Sequence, residues 1–87
     1  MDIQGYPMYQ IYEDGRVWSK RSKKFLSDNR TNTKGYIIRS LFHNYTHKTI
    51  TAHRLVATHY LKNADNLPVI DHIDGNIKNN HVSNLRR

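Results

Sequence analysis

Between Val69 and Asn84 the chain reads V-I-D-H-I-D-G-N-I-K-N-N-H-V-S-N, and no other stretch restricts its fold as much. A half-buried strand alternates apolar and polar residues, but Asp71-His72 breaks the run Val69, Ile70, Ile73 with two groups that are costly to desolvate unless paired. A glycine turn at Gly75 follows, with four carboxamides, Asn76, Asn79, Asn80 and Asn84, close behind. Such a composition describes a site rather than a core.

Phosphodiester hydrolysis would reward this arrangement. A divalent cation held by Asp71 neutralises a phosphate and its leaving oxygen, while His72, on the other face of a strand, takes a proton from water. Imidazoles titrate near pH ~6.5, so a free base is available at neutral pH. The spacing D-H-I-D-G-N-x-x-N-N-x-x-x-N-L-R resembles the HNH nucleases of the phage homing-endonuclease type. Their ββα-metal site has a strand ending in Asp-His, an asparagine-rich loop and a second strand opening with Asn-Leu.

The resemblance implies Asp71 as metal ligand, His72 as general base and Asn84 as the asparagine that orients His72. Gly75, Asn76, Asn79 and Asn80 would form the loop, their side chains bonding the backbone. It also implies Mg²⁺ or Mn²⁺ as cofactor, double-stranded DNA as partner, products with a 5′-phosphate and a 3′-hydroxyl, and the cytoplasm of a phage-infected bacterium as the location. The family carries a last ligand, His or Asn, on a helix after the second strand. The sequence ends at Arg87, so that helix is expected to be missing and the ligand to come from His81, water or a second protein chain.

Charge divides the chain. Residues 1–62 hold 11 Lys and Arg against four acids, whereas residues 63–87 hold three of each, so the whole net charge of +7 lies in the first part. A basic module suits a polyanion, and a segment with acids suits a cation. With 87 residues one small domain is expected, burying about 60% of its unfolded surface, so a deep pocket is not. Cysteine is absent, which removes disulfides and thiolate zinc sites. Neither a signal-like start nor an apolar run of about 20 residues is present, so no membrane association is expected.

In chain order, Tyr9–Tyr12, the turn Glu13-Asp14-Gly15 and Arg16–Ser19 predict a β-hairpin. Y-x-I-Y-E-D-G-R-V-W-S is similar to the NUMOD4-like module that precedes the site in these phage enzymes. Trp18 and Tyr9 are expected in the core, with base stacking as the other reading. Lys20-Arg21-Ser22-Lys23-Lys24 is a basic turn for phosphate contact or solvation, and Asp28–Gly35 a loop with Arg30 and Lys34. Tyr36–Phe42 predicts the strongest strand, His43–Lys48 a turn and Thr49–Thr51 the return. Arg16, Lys20, Arg21, Lys23, Lys24, Arg30, Lys34, Arg39 and Arg54 are the candidate DNA contacts.

Ala52, Leu55, Val56, His59 and Tyr60 at helical spacing predict an amphipathic helix over Ala52–Lys62, with Thr51 as N-cap. H-R-L-V-A again resembles a phrase found just upstream of the family's site. His53 reads as a hydrogen-bonded structural residue, and His43 and His47 lack co-ligands for zinc. Asn63–Pro68 reads as a turn-rich connector. The expected fold is α+β in one domain: a basic β-rich module (1–51), a packing helix (52–62) and a partial ββα-metal hairpin (67–87).

An EF-hand with Gly75 at its sixth position would need Asp at Ile70 and Glu at His81. Glycine patterns for a Rossmann or P-loop site are lacking, as is any nucleophile elbow. Two function classes stay open: a metal-dependent HNH endonuclease, and a non-catalytic DNA-binding or regulatory protein of the same ancestry.

Overall fold

The computed structural model describes residues 1–62 and 69–87. The connector expected over Asn63–Pro68, and with it the start of the 67–87 hairpin, lies outside the described residues. The chain is α+β. Strands β1 (Asp2–Ile3), β2 (Tyr6–Ile11), β3 (Val17–Ser19) and β4 (Lys24–Phe25) form an antiparallel sheet in sequence order, and β5 (Ile38–His43) pairs with β6 (Thr46–Thr51). Helix α1 (Ala52–Tyr60) follows, then β7 (Asp71–His72), a 3₁₀ turn (Val82–Asn84) and β8 (Leu85–Arg86).

Alternation along the strands sends Ile11, Val17 and Leu41 inward, where Ile3, Leu55, Val56 and Leu85 meet them. The core therefore lies between the sheet, the β5–β6 hairpin and α1. Leu85 carries the site hairpin into it. Helix α1 buries Ala52, Leu55, Val56 and Ala57, and it ends at Tyr60 rather than Lys62. Thr51 occupies the N-cap with extended backbone, but its hydroxyl makes no capping hydrogen bond. At the other end the Tyr60 hydroxyl donates to the Ile11 carbonyl at 2.6 Å, and the His59 ring bonds the Leu55 carbonyl (2.8 Å) and accepts from the Gln4 N–H (3.1 Å). No helix among the described residues is long and apolar enough to cross a membrane.

The structure corrects four local expectations. Asp2–Ile3, to which the sequence reading gave no element, adds an edge strand, with Ile11 N–H bonding the Met1 carbonyl at 2.8 Å. The β5–β6 turn takes only Asn44 and Tyr45, because both adopt positive φ and so permit a two-residue loop. Trp18 sits on the outer face of its strand between buried Val17 and Ser19, edge-on to Phe25 at 4.9 Å, whereas Tyr9 packs against the core. Arg39 is buried.

That burial is structural. The Arg39 guanidinium donates to the carbonyls of Gly15 (2.8 Å) and Ser27 (3.1 Å) and pairs with Asp28 at 2.7 Å, joining the first hairpin turn to the segment before β5. With only 2% of its side chain exposed, it is withdrawn from the DNA-facing set. Arg39→Ala is expected to cost about 2–4 kcal/mol, since two carbonyls lose a donor and a void opens. Urea denaturation checks this, and a loss under about 1 kcal/mol would show that the guanidinium is not a structural clamp.

Candidate active site

Strands β7 and β8 pair antiparallel, with Asp71 opposite Arg86 and His72 opposite Leu85. Two ladder residues per strand make a weak hairpin, so other bonds must fix it. Buried Leu85 anchors one strand, and Ile73 N–H bonds the Asn84 carbonyl at 2.8 Å. The loop winds around Asp74, to which spacing alone assigns no role. Its carboxylate accepts from Asn76 N–H (2.7 Å), Asn84 Nδ2 (2.9 Å) and Asn79 Nδ2 (3.0 Å). The signal was an Asp just before the turn glycine, a position favoured for bonding backbone two residues on. Gly75 has φ +76°, which suits glycine there.

Asn84 does not hold His72. Its Nδ2 also donates to the Asn79 carbonyl (2.9 Å) and its Oδ1 accepts from Asp74 N–H (3.1 Å), so this asparagine closes the loop. The residue at His72 is Asn80, buried, whose Oδ1 lies 2.9 Å from Nε2. A carboxamide oxygen only accepts, so this contact calls for a proton on Nε2 and turns that nitrogen, rather than Nδ1, to Asn80. Among the described residues the Asn80 side chain makes no bond to the backbone of the kind expected of a loop former, while Asn76 does, accepting from Lys78 N–H at 3.0 Å.

Asn80 itself is placed by the N-terminal hairpin. A Cβ on Gly15 would come 2.9 Å from the Asn80 Cβ, and φ there is +92°. Glycine is thus required twice, by conformation and by close approach. Alongside, Val82 N–H bonds the Glu13 carbonyl at 2.7 Å. On its other sides His72 faces His53 of α1, edge-on at 4.9 Å, and stacks with Tyr36 at 6.0 Å. Tyr36 also contacts His53, at 4.9 Å, completing a three-ring cluster.

Desolvation pushes the His53 imidazole down to about 4, with repulsion from His72 and Arg54 adding to it. The residue enters the folded chain neutral, as a ring wall beside His72. Hydrogen bonds from Asn79, Asn76 and Asn84 hold the Asp74 carboxyl below its ordinary value. Asp71 is exposed and forms a loose ion pair, 3.9 Å from Arg86 Nε. Among the described residues no three His, Cys, Asp or Glu side chains converge to hold a metal. His81 Nδ1 accepts from Ser83 N–H (3.1 Å) and lies 2.9 Å from the Ser83 hydroxyl. That ring lines a groove with Tyr12, Glu13, Asp14, Arg16 and Tyr60.

The remaining candidate cations are distributed unequally. Arg21, Lys23 and Lys24 stand exposed in the basic turn, Lys34 in its loop and Arg54 on α1. Lys20 pairs with Asp2 at 3.0 Å, and Arg16 bonds Asp14 at 2.7 Å with its guanidinium 4.5 Å over the Phe25 ring. Arg30 donates to the Ser40 hydroxyl at 3.0 Å.

No family model matches the chain. It is 41% identical over 86 residues to DNA endonuclease I-HmuI of Bacillus phage SP01, covering 98% of this chain and 49% of that protein. It is 44% identical over 77 residues to the uncharacterized HNH endonuclease L245 of Acanthamoeba polyphaga mimivirus, covering 88% of this chain and 23% of the relative. The structure reported under the heading DNA binding and cleavage by the HNH homing endonuclease I-HmuI superposes with a TM-score of 0.88 at 41% identity, over 99% of this chain and 49% of that one. The chain is therefore homologous to HNH endonucleases and spans about half the length of I-HmuI, and less of the mimivirus protein.

Two outcomes are expected of this geometry. Gly15→Ala should destabilise the fold by about 1–3 kcal/mol through strain and the clash with Asn80, and should shift the His72 ring resonances in NMR. Unmoved His72 resonances would sever Gly15 from the site. Because folding lowers the His53 pKa, its contribution to stability is full above pH ~6.5 and is lost as pH falls towards about 4. His53→Gln should flatten the unfolding free energy across that window in urea titrations at stepped pH, and an unchanged slope would count against it.

Proposed function

We propose that the chain binds double-stranded DNA and hydrolyses a phosphodiester bond in it as a metal-dependent endonuclease of the HNH type. The observation that carries this reading is the 2.9 Å contact between His72 Nε2 and buried Asn80, which orients the imidazole on the strand whose neighbouring residue, Asp71, has an exposed carboxylate. Homology to I-HmuI, a DNA endonuclease by name, supports it.

The donor chemistry fits a hard cation. Mg²⁺ commonly binds through one or two carboxylates, substrate phosphate oxygens and water, so a single open carboxylate is a usable anchor. Asp71 would hold Mg²⁺ or Mn²⁺, and the chemistry supplied there is neutralisation of charge on the phosphate and the leaving oxygen. His72 Nδ1 accepts the proton of the attacking water, while Asn80 keeps the ring from turning and bears its Nε2–H. Tyr36 and His53 exclude water from the flanks of the imidazole. Asn84 acts one step further out, holding the loop closed on Asp74. Exposed Arg21, Lys23, Lys24, Lys34 and Arg54 supply phosphate contacts.

One observation favours a second reading, a DNA-binding module without catalysis: the described residues offer no three-ligand metal group. A ligand from a partner chain is the alternative completion. Supercoiled plasmid with Mg²⁺ or Mn²⁺, with EDTA and beside His72→Ala, separates these readings. Expected is metal-dependent nicking that falls by about 10²-fold or more in His72→Ala while DNA affinity stays within about twofold. Equal cleavage by the variant would remove His72 from the chemistry, and binding without cleavage by the unaltered chain would establish the second reading.

A further inference from the structure

The β5–β6 hairpin turns through Asn44 (φ 50°) and Tyr45 (φ 65°). In two-residue primed turns the second place normally belongs to glycine, since a Cβ in left-handed backbone crowds the following carbonyl. Tyr45 gains nothing inside the molecule in exchange. Its relative exposure is 109%, and among the described residues its side chain makes no hydrogen bond and no ring contact. A second ring, Phe42, is 60% exposed beside it on β5 and lies 5.3 Å from His47.

These rings border a cleft of about 580 Å³ lined by Met8, Arg21, Phe42, His43, Asn44 and Tyr45. Its lining includes Arg21 of the basic turn, and the hairpin from Ile38 to Thr51 adds His43, His47 and Lys48 and contains no acid. Exposed rings interleaved with cations and free of carboxylates match a nucleic-acid strand, whose bases offer π faces and whose backbone is anionic. An acidic protein surface would satisfy the cations but leave the protruding ring without a comparable face to stack on.

We propose that Tyr45 is a wedge that inserts at a base step of the bound duplex and stacks on the nucleobase it uncovers, with Arg21 across the cleft on a neighbouring phosphate. The strained turn then holds the ring clear of the protein before DNA arrives. This inference rests on the DNA-binding part of the function proposed above, and it is independent of the His72 chemistry.

Fluorescence anisotropy of a labelled duplex with the full chain tests it, at several salt concentrations, with thermal melts of each variant. Tyr45→Gly is expected to raise Kd about 5- to 10-fold without changing the log–log salt slope, because no charge is removed. The same variant should melt about 4 °C higher, because glycine relieves the turn. Tyr45→Phe, which keeps the ring, should bind within about twofold of the original, and Arg21→Gln should reduce the salt slope by about 0.9. Unchanged affinity in Tyr45→Gly overturns the proposal while leaving DNA binding intact, and so does a loss of affinity accompanied by a lower Tm, which would make Tyr45 a structural residue. Failure of the unaltered chain to bind duplex DNA overturns the DNA reading itself, and the inference with it.

Discussion

The hydrogen bond from His72 to buried Asn80 is the contact on which the candidate site depends, and it depends in turn on the bare Cα of Gly15. The carbonyl of Gly15 is held by Arg39, a cation buried among backbone acceptors. A line of direct contacts therefore runs from β5 through the first hairpin turn to the imidazole. Two of the links are hydrogen bonds to buried side chains, Arg39 and Asn80, and the third is the close approach at Gly15, so the orientation of one ring is tied to the packing of the whole module.

This arrangement explains why a two-residue ladder suffices for the site hairpin. Leu85 brings hydrophobic burial from the core, Val82 N–H ties the 3₁₀ turn to Glu13, and Asp74 gathers three asparagines. The carboxamides divide the work by geometry. Asn76, Asn79 and Asn84 shape the loop, and Asn80 alone reaches the imidazole. Keeping Asp71 outside that network leaves one carboxylate accessible.

Much of this was legible in the sequence where the signal is local. Alternating strand formers around the Glu13–Gly15 turn located the end of β2 and β3, the apolar run from Tyr36 located β5, helical spacing located α1, and Asp71-His72 before Gly75 marked the site hairpin. Legibility failed where a residue's fate depends on a distant partner. Arg39 reads as another surface cation because its partners, Gly15 and Ser27, lie 24 and 12 residues away. Among four nearby asparagines, the one that meets His72 is chosen by three-dimensional fit against Gly15, which no spacing rule expresses. Trp18 sits between two inward residues, so strand alternation should have sent it outward, but its bulk and lone occurrence argued for the core.

The long reach of these contacts also has a consequence in time. Glu13 and Val82, and likewise Gly15 and Asn80, meet across about three-quarters of the chain or more. A growing polypeptide releases its basic module first, able to form sheet, hairpin and helix from nearer neighbours, while the imidazole gains its fixed posture only after Asn80 and Leu85 have left the ribosome. Partial chains made during synthesis thus carry the basic module before His72 has its Asn80 partner, so the imidazole is oriented only once β8 is in place.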